Sequence, residues 1–348
     1  MTEARRPVPE APSQVAPGVF RIPLPFPRRP DMTRLRTVNV HLVRRGDTWV
    51  LVDSGVGTTE SFDVLVDSVR SLGVEPEQVT TLLTTHIHPD HYGSSQRWRE
   101  RSGARVLLYA RDAQFFVHMM LLTPTDYTLF RRRHGVPERS MAGADEMRRT
   151  LRSFFSPAAP DCTLRDDETL VVGGDGSPSA DAAALRAILT AGHTPGHVVA
   201  YLPDVEVLVS GDHLLPRITP HVGIGPDGLG GDDAGDPLGD YLASLELVRG
   251  LPVRIVCPAH GPVFGDHERR VRQIVDHHNF RLRAVLDAVA RRPRTAWEVC
   301  SAIFGDLDEG QHDAATMETL AHLRHLELSG RVALVDGDAP VRWSANKD

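Results

Sequence analysis

Thr84-Thr85-His86-Ile87-His88-Pro89-Asp90-His91-Tyr92-Gly93 places three histidines and one aspartate within six residues. The run just before it, Val79-Thr80-Thr81-Leu82-Leu83, is short and apolar and reads as a buried strand. Imidazole and carboxylate are the ligand types that hold zinc or iron, and crowding them without a cation would cost stability. In an extended segment alternate side chains share a face, so His86 and His88 can reach one metal together. Beyond Pro89 the chain can turn Asp90 and His91 toward a second position. Neither half completes a site, because tetrahedral zinc needs three or four protein ligands.

The remaining ligands are expected at other strand ends, and three candidates stand there. His193 lies in Ala191-Gly192-His193-Thr194-Pro195-Gly196-His197, after the apolar run 185–189. Asp212 lies in Ser210-Gly211-Asp212-His213 after 205–209, and His260 in Pro258-Ala259-His260-Gly261 after 254–257. Each alone is weak, since a loop histidine or aspartate more often caps a turn or faces solvent. Together with the cluster they form one ligand set. Asp53, in the turn Asp53-Ser54-Gly55 after the strand 49–52, brings a further carboxylate to the sheet edge.

Outward from the cluster, the chain has 348 residues, enough for one large domain or one with a small appendage. It is 41% hydrophobic and 24% charged, ordinary for a soluble globular protein. A net charge of −7 gives no global reason to expect nucleic acid or an anionic membrane as partner. Basic charge is almost all arginine, Lys347 being the only lysine. Cys162, Cys257 and Cys300 are too few and scattered for a disulfide framework. The first residues lack the apolar core of a signal peptide, and no stretch approaches the roughly 18 apolar residues of a membrane span. A cytoplasmic protein is expected.

Residues 1–18, rich in Pro, Ala and Glu, are expected to be disordered. Strands 38–43 and 49–52 read as a hairpin about Gly46-Asp47, and 62–72 as a helix closed by Gly73. A helix follows from about Ser94 to Arg101, then a strand at 104–109. Residues 110–156 read as a helical insert or lid, with one helix around Phe115–Leu122 and another around Met147–Phe155. Arg131-Arg132-Arg133 between them reads as a solvated helix face, or more sharply as a clamp for an anionic substrate. Strands return at 169–172, 185–189, 198–202 and 205–209, then a Gly/Asp/Pro-rich loop at about 223–239. A helix at 242–248, a strand at 254–257 and a long helix from Glu268 to Ala290 come next.

Arg291-Arg292-Pro293-Arg294 marks a boundary. The tail beyond it reads as helices at 297–303 and 317–328, then strands at 331–335 and 341–343, the order of a winged helix. From Pro293 on it carries ten carboxylates against five Lys and Arg side chains, a poor phosphate binder. It reads as a structural module or a dimer contact, which leaves a homodimer open. Of the other histidines, His197 reads as a loop residue or a support behind the metal ligands, and His213 and His221 as candidate pocket contacts or as packing and surface residues. His41, His118, His134 and the pair His277-His278 read as structural or exposed. Cys257 reads as a small core residue, and Tyr92 as lining the site or packing.

On these motifs the sequence resembles the metallo-β-lactamase-fold superfamily over about residues 19–290. His86-x-His88-x-Asp90-His91, His193, Asp212 and His260 match its five metal-binding motifs in order. The resemblance implies an α+β fold, an αββα sandwich with two divalent metal ions at one edge, most simply Zn2+ with iron or manganese as alternatives. One ion would take His86, His88 and His193, the other Asp90, His91 and His260, with Asp212 bridging and Asp53 orienting the cluster from behind. Gly192-His193-Thr194-Pro195-Gly196-His197, Ser210-Gly211-Asp212 and the tail beyond 293 resemble the glyoxalase II and β-lactamase-like protein 2 branch. Asp212 departs from the common β-lactamase classes, which carry cysteine there.

The implied chemistry is hydrolysis by a metal-bound hydroxide, with Asp90 as a candidate proton carrier. A thioester or ester is the expected bond, on a small-molecule or acyl-carrier substrate. A ribonuclease or phosphodiesterase is the alternative, which the acidic balance disfavours. An iron-dependent oxygenase and an inactive metal-binding scaffold stand behind these.

Overall fold

Alternating burial along the strands builds two sheets that share one interior. Val50 and Val52 of one strand face a different core from Leu51 between them, and Val207 and Val209 likewise from Leu208. This is the period-two pattern of sheets buried on both faces. The structure, a computed structural model, describes residues 10–27, 37–140, 153–164, 170–172, 185–226, 235–305, 307, 309–336 and 339–346.

The first sheet has seven strands in the order β1-β2-β3-β4-β5-β6-β7: Ser13–Ala16, Val19–Pro25, Thr37–Arg45, Thr48–Val52, Val79–Leu83, Arg105–Tyr109 and Cys162–Leu164. The second has five in the order β12-β11-β10-β9-β8, with β8 Leu170–Val172, β9 Leu185–Leu189, β10 Val198–Leu202, β11 Val207–Gly211 and β12 Ile255–Pro258. Between the sheets lie Val43, Val52, Leu83, Leu107, Leu185, Val198, Val209 and Cys257, all buried. Each large aliphatic side chain so buried contributes about 1.5–3 kcal/mol.

Helices cover both outer faces. On the first sheet sit α1 (Thr59–Ser71), the single turn α2 (Pro89–Tyr92), α3 (Ser95–Ser102) and α4 (Ala110–Leu121), which leads into α5 (Pro124–Arg133). On the second sheet sit α6 (Pro237–Arg249) and α7 (His267–Ala290), with α8 (Ala296–Phe304) and α9 (Glu309–Leu328) beyond them. The hairpin β13 (Val332–Asp336) and β14 (Arg342–Ala345) ends the described chain. This is the αββα layering that the resemblance implies. No helix among the described residues is long and apolar enough to cross a membrane.

Several boundaries differ from the sequence reading. Residues 13–16, expected to be disordered, form β1, paired antiparallel to β2 with Ser13 opposite Arg21. An edge strand is held by backbone hydrogen bonds, so Ser-Gln-Val-Ala needs no strong apolar pattern to join. Residues 1–9 lie outside the described residues, as does 141–152, on which most of the expected helix 147–155 falls. The loop expected to reach 239 ends sooner: Asp236 accepts from Gly239 N–H at 2.9 Å and Pro237 opens α6.

The tail shows the expected helix, helix and hairpin, but α9 begins eight residues earlier than read. It is not set apart from the sandwich. Ile274, Leu282, Val285 and Val289 of α7 share one core with Val299, Leu320, Leu323, Leu326 and Trp343.

Candidate metal centre

Strand direction decides where the functional side chains fall. β4, β5 and β6 are parallel, so they end side by side, running into Asp53, the His86 cluster and α4. In the second sheet β9 and β11 both oppose β10, and β12 is parallel to β11. Their three ends therefore deliver His193, Asp212 and His260 to one edge. Backbone bonds sew the two edges together: Val198 N–H donates to Thr85 O at 2.8 Å and Asn39 N–H to Ala259 O at 2.7 Å.

Two groups of ligand atoms result. His86, His88, His193 and Asp212 form one, and Asp90, His91 and His260 the other, with the atoms of each within 4.8 Å of one another. These are the seven residues singled out in the sequence. Asp212 stands between the groups, with Oδ2 3.6 Å from His193 Nε2 and Oδ1 3.6 Å from His91 Nε2 and 3.5 Å from His260 Nε2. Asp90 Oδ2 lies 3.1 Å from His260 Nε2.

The far ring nitrogens are anchored, which aims the near ones. His91 Nδ1 faces Asp53 Oδ2 at 2.8 Å, His193 Nδ1 faces His221 O at 2.7 Å and His260 Nδ1 faces Thr37 O at 3.3 Å. Each acceptor takes the hydrogen bond of the proton on Nδ1 and aims Nε2 into the site. His86 Nε2 and His193 Nε2 then converge on His88 Nδ1 at 2.9 and 3.0 Å. A single proton there cannot satisfy three converging nitrogens. In the other group His91 Nε2, and Asp212 Oδ1 beside it, are buried without a hydrogen-bond partner. Both donor sets fit a cation in chemistry and arrangement, consistent with a binuclear site.

Charge follows the same division. Burial holds His86 well below the usual imidazole range and His88 down at about 3, so both offer neutral nitrogens. In the second group burial opposes a charged imidazole, but Asp212 and Asp90 outweigh it and raise His260 to about 9. Burial likewise opposes ionisation of Asp90, but His91 and His260 hold it at about 2. This half of the site demands positive charge.

Asp53 faces His91 at the sheet edge. At φ 66° it turns back beneath the cluster, accepting from Thr85 N–H (2.7 Å) and Thr85 Oγ1 (2.9 Å) besides its contact with His91. Other supports join it, of which Asn39 was not read from the sequence. Asn39 Nδ2 donates to the carbonyls of Pro258 and Gly261, each at 2.9 Å, clasping the His260 loop to β3. His197 Nε2 accepts from Asp212 N–H at 3.2 Å, so it fixes the bridging residue from below. A Cβ on Gly211 would stand 2.8 Å from His197 Nε2, and its φ of 51° also favours glycine. His221 joins His193 to the tail, its Nε2 lying 3.0 Å from Ala314 O.

The remaining candidates sort by burial. His41, buried and lowered to about 3 mainly by that burial, is structural, and Cys257 lies in the inter-sheet core. Tyr92 packs edge-on to Phe116 and donates to Ala158 O rather than lining an open site. His213 is fully buried beside Tyr241, His134 packs on Phe130, and His278 Nδ1 lies 3.2 Å from His322 Nε2.

Neither reading of the arginine run holds for Arg131. Its side chain is 2% exposed and makes a forked pair with Asp313 of α9, Nε to Oδ1 at 3.1 Å and Nη2 to Oδ2 at 3.0 Å. Helical geometry turned one of three consecutive arginines inward, and a carboxylate 182 residues away met it. Arg132 and Arg133 stay exposed.

Comparisons with known proteins agree with this geometry. The family pattern described as metallo-beta-lactamase superfamily matches residues 33–260, and that of the metallo-beta-lactamase-like C-terminal domain matches 282–346. A metallo-beta-lactamase family protein of Thermus thermophilus superposes with a TM-score of 0.77 at 31% identity, over 96% of this chain and 100% of that one. A probable metallo-hydrolase of Bacillus subtilis is 24% identical over 88% of this chain and 91% of its own length. An atrochrysone carboxyl ACP thioesterase of Aspergillus fumigatus is 25% identical over 87% and 79% respectively.

Proposed function

The chain belongs to the metallo-β-lactamase superfamily, and from that premise we propose a binuclear metal-dependent hydrolase whose substrate is an acyl thioester. The observation that carries the metal reading is the pair of donor groups sharing Asp212, with His91 Nε2 and Asp212 Oδ1 buried and unpartnered. His86, His88 and His193 would hold one ion and Asp90, His91 and His260 the other, Zn2+ being the simplest match to this donor set. Two divalent ions held by these residues would supply a hydroxide at neutral pH and a Lewis acid for the substrate carbonyl.

The chain's own residues set the rest. Asp90, whose Oδ2 lies 3.1 Å from His260 Nε2, is the candidate proton carrier that would pass a proton from an attacking water toward a leaving group. Asp53, Thr37 and His221 fix three imidazoles in the tautomer that leaves Nε2 free. The thioester reading draws on the similarity to an ACP thioesterase and on the insert. Val117, Met120 and Leu121 lie three and four residues apart on α4 and are exposed, an apolar face suited to an acyl chain. The pairing of Arg131 with Asp313 removes a support for an anionic clamp, and with it for the phosphodiesterase reading.

A panel tests this: metal content by mass spectrometry, then assays on acyl-thioesters, lactones and single-stranded RNA. Two equivalents of zinc with thioester cleavage are expected. RNA cleavage that disappears in Asp90→Ala, with no thioesterase activity, would overturn the substrate class. Stoichiometric iron with oxygen uptake would overturn hydrolysis.

A further inference from the structure

Asp112 lies in the first turn of α4, outside every metal-binding motif, and its carboxylate is fully buried. Three donors converge on it. Ile87 N–H reaches Oδ2 at 3.1 Å, Thr194 Oγ1 reaches Oδ2 at 2.9 Å and Gly196 N–H reaches Oδ1 at 2.6 Å. Ile87 sits between His86 and His88, and Thr194 follows His193. One carboxylate therefore ties together the two loops that carry all three histidines of the first group. The approach is close enough to require glycine, since a Cβ on Gly196 would stand 2.5 Å from Asp112 N.

We infer that Asp112 is a positioning residue that sets the His86-His88 loop against the His193 turn and so determines cation affinity in the first group. This rests on the metal reading above. The chemistry asks for a carboxylate in particular. Burial raises Asp112 to about 7, but three donors face it, and the ionised carboxylate that answers all three is acceptor only, with about four lone-pair sites. An asparagine offers its oxygen to one side only: toward Gly196 N–H it turns its NH2 on Ile87 N–H and the Thr194 hydroxyl, and toward those two it turns its NH2 on Gly196 N–H. A hydroxyl can rotate to accept; a peptide N–H cannot. Asp112→Asn thus frees either the Ile87 or the Gly196 peptide, and with it the setting of one loop against the other.

Asp112 also has an origin that separates it from Asp53. Asp53 lies under His91 and Thr85, whereas Asp112 holds the backbone at Ile87 against the His193 turn. The two carboxylates support the site from two sides, one from the end of β4 and one from the insert. The insert is thereby anchored to the centre at one end while its apolar face lies further along α4.

The test is chelator competition on full-length protein loaded with Zn2+, and with Co2+ for its visible spectrum. His193→Ala and His260→Ala serve as references that disable the first and second groups. Asp112→Asn is expected to weaken one site 10–100-fold, as loss of supporting contacts does elsewhere. Its Co2+ spectrum should move toward that of His193→Ala, with the site that His260→Ala disables unchanged. Thr194→Val removes one donor to the carboxylate and should weaken the same site about tenfold, which keeps the test alive if Asp112→Asn does not fold. A merely structural Asp112 would lower the unfolding midpoint and leave both affinities of the folded protein equal to wild type. That result, in both variants, overturns the inference alone. Wild-type protein that takes up no cation overturns the metal centre and this role with it.

Discussion

Removing the Asp313 carboxylate tests whether the C-terminal helices are part of the sandwich or a passenger on it. Arg131 of α5 is 2% exposed and Asp313 of α9 is 18% exposed, with two charge-assisted bonds of 3.1 and 3.0 Å between them. Breaking one partner of a buried pair costs about 3–5 kcal/mol, because the other charge stays in a poor medium for it. The partial exposure of Asp313 lets water reach the vacated position, so the low end applies, about 3 kcal/mol for Asp313→Ala. Urea denaturation followed by tryptophan fluorescence reads this well. Trp297 and Trp343 lie in the tail, while Trp49 and Trp98 lie in or against the first sheet. The expected result is one transition with a lower midpoint and unchanged slope. Arg131→Met with Asp313→Leu should recover most of the loss, since an apolar pair of similar volume replaces the ion pair at little cost. A loss below about 0.5 kcal/mol, the scale of a surface pair, would refute the argument. So would two separate transitions, with the tail melting first.

Three further outcomes follow from the same geometry. Stripping the cations with dipicolinate should abolish hydrolysis and lower unfolding stability by about 4 kcal/mol for a cation present at a thousand times its dissociation constant; calorimetry of apo and reloaded protein measures it. Asp53→Asn withdraws the acceptor behind His91 and should weaken cation binding 10–100-fold, read by chelator competition with folding monitored by circular dichroism. The third is a pH dependence. Hydrogen bonding to Asp236 raises His325, and burial would raise Asp236 but the bonds from His325 and Gly239 N–H outweigh it and lower it. The histidine's contribution is complete below its unfolded value of 6.5 and is lost as pH rises through the raised folded value. The aspartate's contribution is complete above its unfolded value of 3.8 and is lost as pH falls through the lowered folded value. The stability difference between wild type and His325→Gln should therefore be largest between about pH 4 and 6.5 and shrink above that. Equal differences at pH 5.5 and pH 8.5 would count against the pair.

The ligands were legible because their chemistry is conspicuous in one dimension. Histidines and aspartates after apolar strands, flanked by glycine or proline, mark a sheet edge before any topology is known. Parallel strand direction then does the gathering, which is why seven residues spread from His86 to His260 meet as two groups. The layering was legible too, since period-two runs such as Val50-Leu51-Val52 announce a strand buried on both faces. Helix starts were harder: Asp236 and Pro237 define the start of α6 by capping, while the apolar pattern becomes visible only at Leu242.

What escaped the sequence has a common physical cause. Asn39, Arg131 and His221 act through partners 219, 182 and 93 residues away, and in each case the partner is a backbone carbonyl or an ordinary surface-type carboxylate. Nothing in the local pattern of β3, α5 or the loop after β11 points to these partners. A carbonyl has no signature in sequence, because every residue carries one. Asp112 is the sharpest case, an acidic residue in the first turn of α4 whose place the helix dipole alone would account for. Only the arrival of Ile87, Thr194 and Gly196 from two other strand ends makes it a support of the metal centre. The reacting groups of such a site are therefore readable from the chain, and the groups that hold them in register are readable only from the fold.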